Sequence, residues 1–194
     1  MSIQKLFVSL QREIKNSKNM KKLSVTLLIT AFLAACVTPT ICIVKLIKFK
    51  QECAGYLKQA ADANTVDIAI DRLDKALSYI ETHNLTNGYT SVVYKTEDDN
   101  IGFWYTNIKA CKQELEQCME SSQLERTNVL MKVRESLTDT DQDGTVLTIP
   151  SGIYKYPDNT KFAITNTISI LVMIGCFVML YIILDNPYLF HKYN

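Results

Sequence analysis

The chain has 194 residues, of which 21 are Lys or Arg and 20 are Asp or Glu, giving a formal net charge of +1. With 47% hydrophobic residues, six glycines and four prolines, it cannot be a collagen-like, mucin-like or disordered chain. The balanced charge also argues against a nucleic-acid-binding protein, which usually carries a basic excess.

Two uncharged apolar runs predict transmembrane helices. They are residues 23–44 (LSVTLLITAFLAACVTPTICIV) and residues 162–184 (FAITNTISILVMIGCFVMLYIIL). At about 1.5 Å per residue, each run is long enough to cross the ~30 Å hydrocarbon core of a bilayer. The alternative is two buried core helices, and a chain of this length is too small to surround both.

Both runs carry small residues at helical spacing. Thr30, Ala34 and Thr38 repeat every four residues in the first run, and Thr165 and Ser169 do so in the second. Such faces let membrane helices approach closely, so they are predicted to pack. The alternative is that these small residues are only tolerated there.

The first run has a second interpretation. Met20-Lys21-Lys22, an apolar stretch and then Leu33-Ala34-Ala35-Cys36 resemble a bacterial lipoprotein signal. In that case Cys36 would carry the lipid anchor. Against it, nineteen residues precede Met20 and the chain stays apolar after Cys36.

The charges around the runs predict the topology. Residues 1–22 hold six basic residues and one acid, Glu13, which places the N-terminus in the cytoplasm. Residues 51–161 hold 11 basic and 18 acidic residues, and 185–194 form a short tail. We expect both termini inside and the central region outside, in a plasma or bacterial inner membrane. Residues 1–22 are either a basic amphipathic helix or a disordered tail.

Apolar residues at helical spacing predict four amphipathic helices within residues 45–138. The third helix has the most regular pattern, and whether 101–121 and 123–138 form one continuous helix stays open. Asn64 with Asp67, and Ser122 with Glu125, are typical of helix N-terminal caps. The apolar positions are Leu46, Phe49, Cys53, Tyr56 and Ala60; Val66, Ile70, Leu73, Leu77 and Ile80; Ile101, Trp104, Ile108, Cys111, Leu115 and Cys118; and Leu130, Val133 and Leu137.

Two segments depart from this pattern. Tyr89–Thr96 is rich in β-branched and aromatic residues, which favours a strand. Residues 139–161 contain Gly and Pro and predict an irregular membrane-proximal segment with a short strand at 145–149. The fold class is therefore an all-α membrane protein, in which about four antiparallel helices form a bundle between two transmembrane helices. A long coiled-coil stalk is the alternative.

One acidic motif indicates calcium. Asp139, Asp141 and Asp143, followed by Gly144, match the first half of an EF-hand loop. The twelfth position, normally a bidentate Glu, is Pro150. The alternative is an acidic turn. Calcium is the only cofactor that the sequence indicates.

Three cysteines lie outside the apolar runs. In an oxidising compartment Cys53 could form a disulfide with Cys111 or Cys118. Cys111 and Cys118 are about 10.5 Å apart along one helix, too far to bond each other. The alternative is three reduced thiols packed in the core.

No catalytic set or nucleotide-binding motif is present, and the isolated His83 and His191 do not suggest zinc. Phe103 and Tyr105 lie outside the apolar pattern of the third helix and are a candidate partner surface. We therefore expect a non-enzymatic membrane protein whose outer domain assembles with another membrane protein or with itself. The alternative is a module that senses a ligand or ion and relays its signal through a partner.

Overall fold

The computed structural model describes residues 3–141 and 144–185. It is mostly helical, with a small two-stranded sheet. The chain divides into two compact units, one within residues 1–40 and 164–194 and the other within residues 41–163. The elements are α1 (Ile3–Phe49), a π-helical turn (Lys50–Ala54), α2 (Gly55–Ala61), α3 (Val66–Thr82), α4 (Ile101–Gln117), α5 (Gln123–Leu137), β1 (Thr138–Asp141), β2 (Gly144–Leu147), a 3₁₀ turn (Ile153–Lys155) and α6 (Asn159–Asp185).

Two helical stretches, Leu28–Ala61 and Asn159–Met179, are long and apolar enough to cross a membrane. In the first unit they pack through aromatic and small side chains. The rings of Phe32 and Phe177 meet edge to face, with centroids 5.5 Å apart. The Cys176 thiol lies 3.7 Å from the Leu28 carbonyl oxygen. Most other apolar side chains on these two stretches are exposed.

The second unit is a ring of four helices. Helix α3 packs on α2 and α4, and α5 packs on α4 and back on α2. Helices α3 and α4 run antiparallel. Asp74, in the middle of α3, pairs with Lys112 in the second half of α4, whereas Glu81, near the end of α3, accepts a hydrogen bond from Tyr105 near the start of α4. The arrangement buries one apolar face of each helix in a shared core.

The apolar pattern of α4 is confirmed in full. Ile101, Trp104, Ile108, Cys111, Leu115 and Cys118 are all buried in the core. Helices α4 and α5 are separate, because α4 ends at Gln117 and α5 begins at Gln123. The Ser122 cap is confirmed, since its hydroxyl accepts a hydrogen bond from the Glu125 N–H at 3.3 Å.

The other predicted cap is wrong by one residue. Thr65, not Asn64, caps α3, and its hydroxyl accepts from the Ile68 N–H at 3.4 Å. Thr65 has the extended backbone that a capping residue needs, with φ −134° and ψ 151°.

The apolar pattern predicted for the first helix of the central domain changes its spacing at the π turn. The Gly55 N–H donates to the Lys50 carbonyl, five residues back, so this turn is one residue wider than an α turn. As a result Leu57, rather than the predicted Tyr56, enters the core, where it is 1% exposed. Tyr56 lies at the core edge, with Arg72 6.0 Å from its ring centre.

The predicted strand at Tyr89–Thr96 is wrong. This part of the α3–α4 connection is irregular, apart from a lone bridge between Tyr89 and Asn100. Side-chain hydrogen bonds hold the loop together: the Asp99 carboxylate accepts from the hydroxyls of Thr90 and Thr96. The predicted small β element does form, as the antiparallel hairpin of β1 and β2.

Candidate functional site

A groove of about 440 Å³ lies between the first half of α4 and the β1–β2 hairpin. We call it the α4–hairpin groove. Residues from the end of the α3–α4 loop, from α4, from the hairpin and from the segment after it form its walls. Its lining includes Glu97, Asp98, Asn100, Phe103, Trp104, Asn107, Asp139, Val146, Thr148 and Ile149.

Hydrogen bonds shape both walls. Asn100 caps α4, because its side-chain oxygen accepts from the Phe103 N–H at 3.1 Å. On the other wall, the Thr148 N–H donates to the Leu137 carbonyl at 2.9 Å, which extends the hairpin by one bond. The Trp104 Nε1–H donates to the Thr148 carbonyl at 2.9 Å and so joins the two walls.

The groove combines apolar surface with one sign of charge. Phe103 is 62% exposed and Val146 is 49% exposed, so both present apolar surface to the groove. Three carboxylates, those of Glu97, Asp98 and Asp139, lie among the lining residues, and no Lys or Arg does in the part of the chain that is described. The surface is therefore complementary to an apolar segment flanked by basic side chains.

Phe103 and Tyr105 do not form one surface. Residues two positions apart on a helix point about 200° apart, since each residue turns by about 100°. Phe103 accordingly lines the groove, whereas the Tyr105 hydroxyl donates to the Glu81 carboxylate on α3 at 2.7 Å. That hydrogen bond is the main factor that raises the pKa of Tyr105.

Two residues of the calcium motif, Asp139 and Asp141, lie in the hairpin. Asp139 and Asp141 belong to β1, whose backbone is extended, whereas an EF-hand loop curls around its ion and leads into a helix. The Asp139 carboxylate accepts from the Thr140 N–H at 2.7 Å. Asp143 and the Asp141 side chain lie outside the described residues. No group of three or more His, Cys, Asp or Glu suited to a metal occurs within the described ranges. Calcium binding stays a prediction.

The three cysteines of the central region are free, buried thiols in separate places. Cys53 lies in the π turn, while Cys111 lies on α4. Burial raises the pKa of the Cys111 thiol, and a hydrogen bond with Ser136 opposes that shift. Cys118 caps the end of α4 and donates to the Leu115 carbonyl at 3.2 Å. The structure therefore does not join Cys53 to Cys111 or Cys118.

The predicted membrane-helix faces are only partly buried. Ser169 is buried and Thr38 is half-buried, while Thr30, Ala34 and Thr165 are exposed. Ala35, the neighbour of Ala34, is buried. The contact face of α1 is thus turned by about one residue, or 100°, from the predicted one. Lipidation at Cys36 stays a prediction.

The sequence did not predict Glu97 and Asp98 as site residues, and it predicted Asp139 only as a calcium ligand. Glu97 and Asp98 belong to an acidic run directly before α4, and acidic residues are common at helix N-termini for electrostatic reasons alone. Val146 belongs to the expected short strand, but its place opposite α4 depends on a tertiary contact. No local pattern reports that contact.

Comparison with protein families, with characterised proteins and with solved structures finds no match to this chain.

Proposed function

We propose that the chain is a non-enzymatic, two-span membrane protein whose central domain assembles with another membrane protein or with a second copy of itself. In this proposal both termini are cytoplasmic and residues 45–161 lie outside. The α4–hairpin groove is the contact surface. The observation that carries the proposal is the exposed Phe103 and Val146 beside three carboxylates with no basic residue in the described lining.

The chemistry of the groove defines the partner. An exposed aromatic ring supplies apolar contact area, and aromatic residues are enriched at the centres of protein interfaces. The carboxylates of Glu97, Asp98 and Asp139 favour Lys or Arg around that centre. A partner segment with one apolar side chain between basic residues therefore fits best.

Site-specific photo-crosslinking in the native membrane tests this contact. A benzophenone amino acid replaces Phe103 in one variant and Met131 in another, since Met131 is 57% exposed but lies on α5 outside the groove. The proposal expects an adduct from position 103 and none from position 131. The mass of the adduct separates a second copy of this chain from a different protein. Equal labelling from both positions, or none from position 103, contradicts the proposal.

Charge reversal gives a matched control. Asp98→Lys with Asp139→Lys is expected to abolish the adduct, because it removes the attraction for basic residues. Glu120→Lys with Glu135→Lys changes the net charge equally at exposed positions outside the groove and is expected to keep it. Loss of the adduct in both double variants contradicts a role for the groove carboxylates.

Topology has its own test. Leu124 is 72% exposed at the start of α5, so Leu124→Cys presents a reactive thiol. The proposal expects a membrane-impermeant maleimide to label it from outside intact cells. Labelling only after the cytoplasmic side is opened would reverse the orientation.

A further inference from the structure

Three consecutive residues of the α3–α4 loop expose apolar surface. Val93 and Tyr94 are each 78% exposed, and Val92 is exposed as well. Lys95 follows, with its ammonium 5.2 Å from the ring centre of Tyr89. We call these four residues the Val92–Lys95 loop. Such adjacent exposure leaves apolar area that a protein in water alone does not favour.

The α3–α4 loop is tied to the beginning of α6. The Asn159 Nδ2 donates to the Thr90 carbonyl at 2.8 Å and to the Gly152 carbonyl at 3.2 Å. Asn159 is 8% exposed and is the first residue of α6. Gly88 (φ 108°) packs against the Tyr156 hydroxyl, in space that a Cβ would fill.

These contacts place Thr90 near the point where α6 enters its apolar run. Phe162, the first residue of that run, is three residues after Asn159, or about 4.5 Å along the helix axis. Val92 is two residues after Thr90, so its Cα lies within about 7 Å of the Thr90 Cα. On the neighbouring helix, Lys45 directly follows the first apolar run, and its ammonium lies 4.6 Å from the ring centre of Phe162. Both apolar runs therefore end close to Thr90, the residue from which the chain continues into the Val92–Lys95 loop.

The neighbouring residues have the composition of a membrane interface. Tyr154 and Lys155 lie in the 3₁₀ turn just before α6, and the Lys155 ammonium is 5.2 Å from the Tyr154 ring centre. Tyrosine is enriched at the level of lipid headgroups because its ring is apolar and its hydroxyl is polar. Lysine there extends its ammonium towards water while its alkyl chain covers apolar surface. Tyr94 and Lys95 repeat this pair of residue types.

We propose that the Val92–Lys95 loop inserts into the headgroup region of the bilayer leaflet beside α6. The side chains of Val92, Val93 and Tyr94 contact the upper acyl chains, and Lys95 stays at the phosphate level. The apolar contact carries the interaction, so zwitterionic lipid is sufficient. The inference rests on the proposed membrane insertion of α6 and is independent of the α4–hairpin groove.

Depth measurement with a spin label tests the inference on the full chain in phosphatidylcholine vesicles. Val93→Cys carries the label in a background where Cys36, Cys42 and Cys176 are alanines, while the buried Cys53, Cys111 and Cys118 remain. Leu124→Cys, 72% exposed on α5, is the water-facing control, and Ile174→Cys within α6 is the lipid-facing control. Collision with oxygen and with a water-soluble nickel complex gives the depth of each label.

The expected result is a label at position 93 that lies about 5–10 Å below the headgroup surface, as for interfacial segments. The label at 124 should lie in water and the label at 174 in the hydrocarbon core. If 174 reports lipid while 93 matches 124, the loop inference is wrong and the membrane assignment stands. If 174 also reports water, the proposed two-span function fails.

A protein contact at the loop would give a third, distinct result. The label at 93 would then be shielded from both oxygen and nickel, because a packed interface excludes both reagents. That outcome also overturns insertion into lipid. A Val93→Asp variant labelled at Tyr94→Cys gives a further check, since a buried carboxylate is costly in lipid and should move the label towards water.

Discussion

The indole of Trp104 donates a hydrogen bond to the backbone carbonyl of Thr148 at 2.9 Å, across 44 residues of sequence. Trp104 is 6% exposed and belongs to the core stripe of α4, while Thr148 directly follows β2. The bond therefore links the helical core to the hairpin, and it holds the two walls of the α4–hairpin groove together.

Replacing Trp104 with Phe should destabilise the domain. The change removes the indole donor to the Thr148 carbonyl and also deletes part of a buried ring, at a combined cost of about 1–3 kcal/mol in the free energy of unfolding. Urea unfolding followed by circular dichroism measures it. Phe103→Leu, at an exposed position one residue away, should change stability by less than about 0.5 kcal/mol. Equal effects of the two substitutions would show that the bond does not contribute.

Two leucines make a matched test of the core. Leu115→Ala, at a site that is 0% exposed, should lower the free energy of unfolding by about 2–5 kcal/mol because it removes buried apolar contacts and opens a cavity. Leu124→Ala deletes the same atoms at an exposed site and should cost less than about 0.5 kcal/mol. Fluorescence of Trp104, the single tryptophan, follows both unfolding curves. A small effect at Leu115 would contradict the described core.

The serine that caps α5 has an adjacent control. Ser122→Ala removes the acceptor for the Glu125 N–H and should cost about 0.5–2 kcal/mol. Ser121→Ala changes the preceding serine, whose backbone N–H bond to the Cys118 carbonyl is kept, and should be nearly neutral. In thermal unfolding, Ser122→Ala should lower the Tm more than Ser121→Ala does. A larger drop in Tm for Ser121→Ala would place the cap at Ser121.

Cys111 should make stability depend on alkaline pH. Burial raises the pKa of its thiol in the folded chain, so the unfolded chain loses this proton at lower pH. Between the two pKa values the unfolded state binds fewer protons, and the free energy of unfolding falls as pH rises. The advantage of the wild type over Cys111→Ala should therefore shrink between about pH 8 and about pH 10.

A variant without an ionisable change controls for other alkaline effects. The free energy of unfolding of Met131→Ala should differ from that of the wild type by the same amount at about pH 8 and at about pH 10, since no titrating group is altered. If the two variants share one pH dependence, Cys111 does not contribute to it.

The sequence predicted the helices better than their connections, for a physical reason. The stripe of α4 and the Ser122 cap depend on residues three or four positions apart, which local spacing reports. Leu57 replaced Tyr56 in the core because a π turn changes the period, and no residue pattern announced that turn.

The candidate site could be predicted only in part. Phe103 was visible as an apolar residue outside the α4 stripe, and helical geometry already separates it from Tyr105. The opposite wall of the groove, at Val146 and Thr148, comes from contacts across more than 40 residues. The two helices that are long and apolar enough to cross a membrane were the easiest feature to predict, since length and apolarity alone define them.

The cation–π contact of Lys45 with Phe162 has a topological consequence. It brings the residues at the two ends of the central domain side by side, so the chain enters and leaves the domain at neighbouring points. Such a domain tolerates new ends elsewhere, because a short linker can join the old ones. A circular permutant that is opened between α4 and α5 and linked from 45 to 161 should therefore retain the four-helix ring as a module free of both apolar runs.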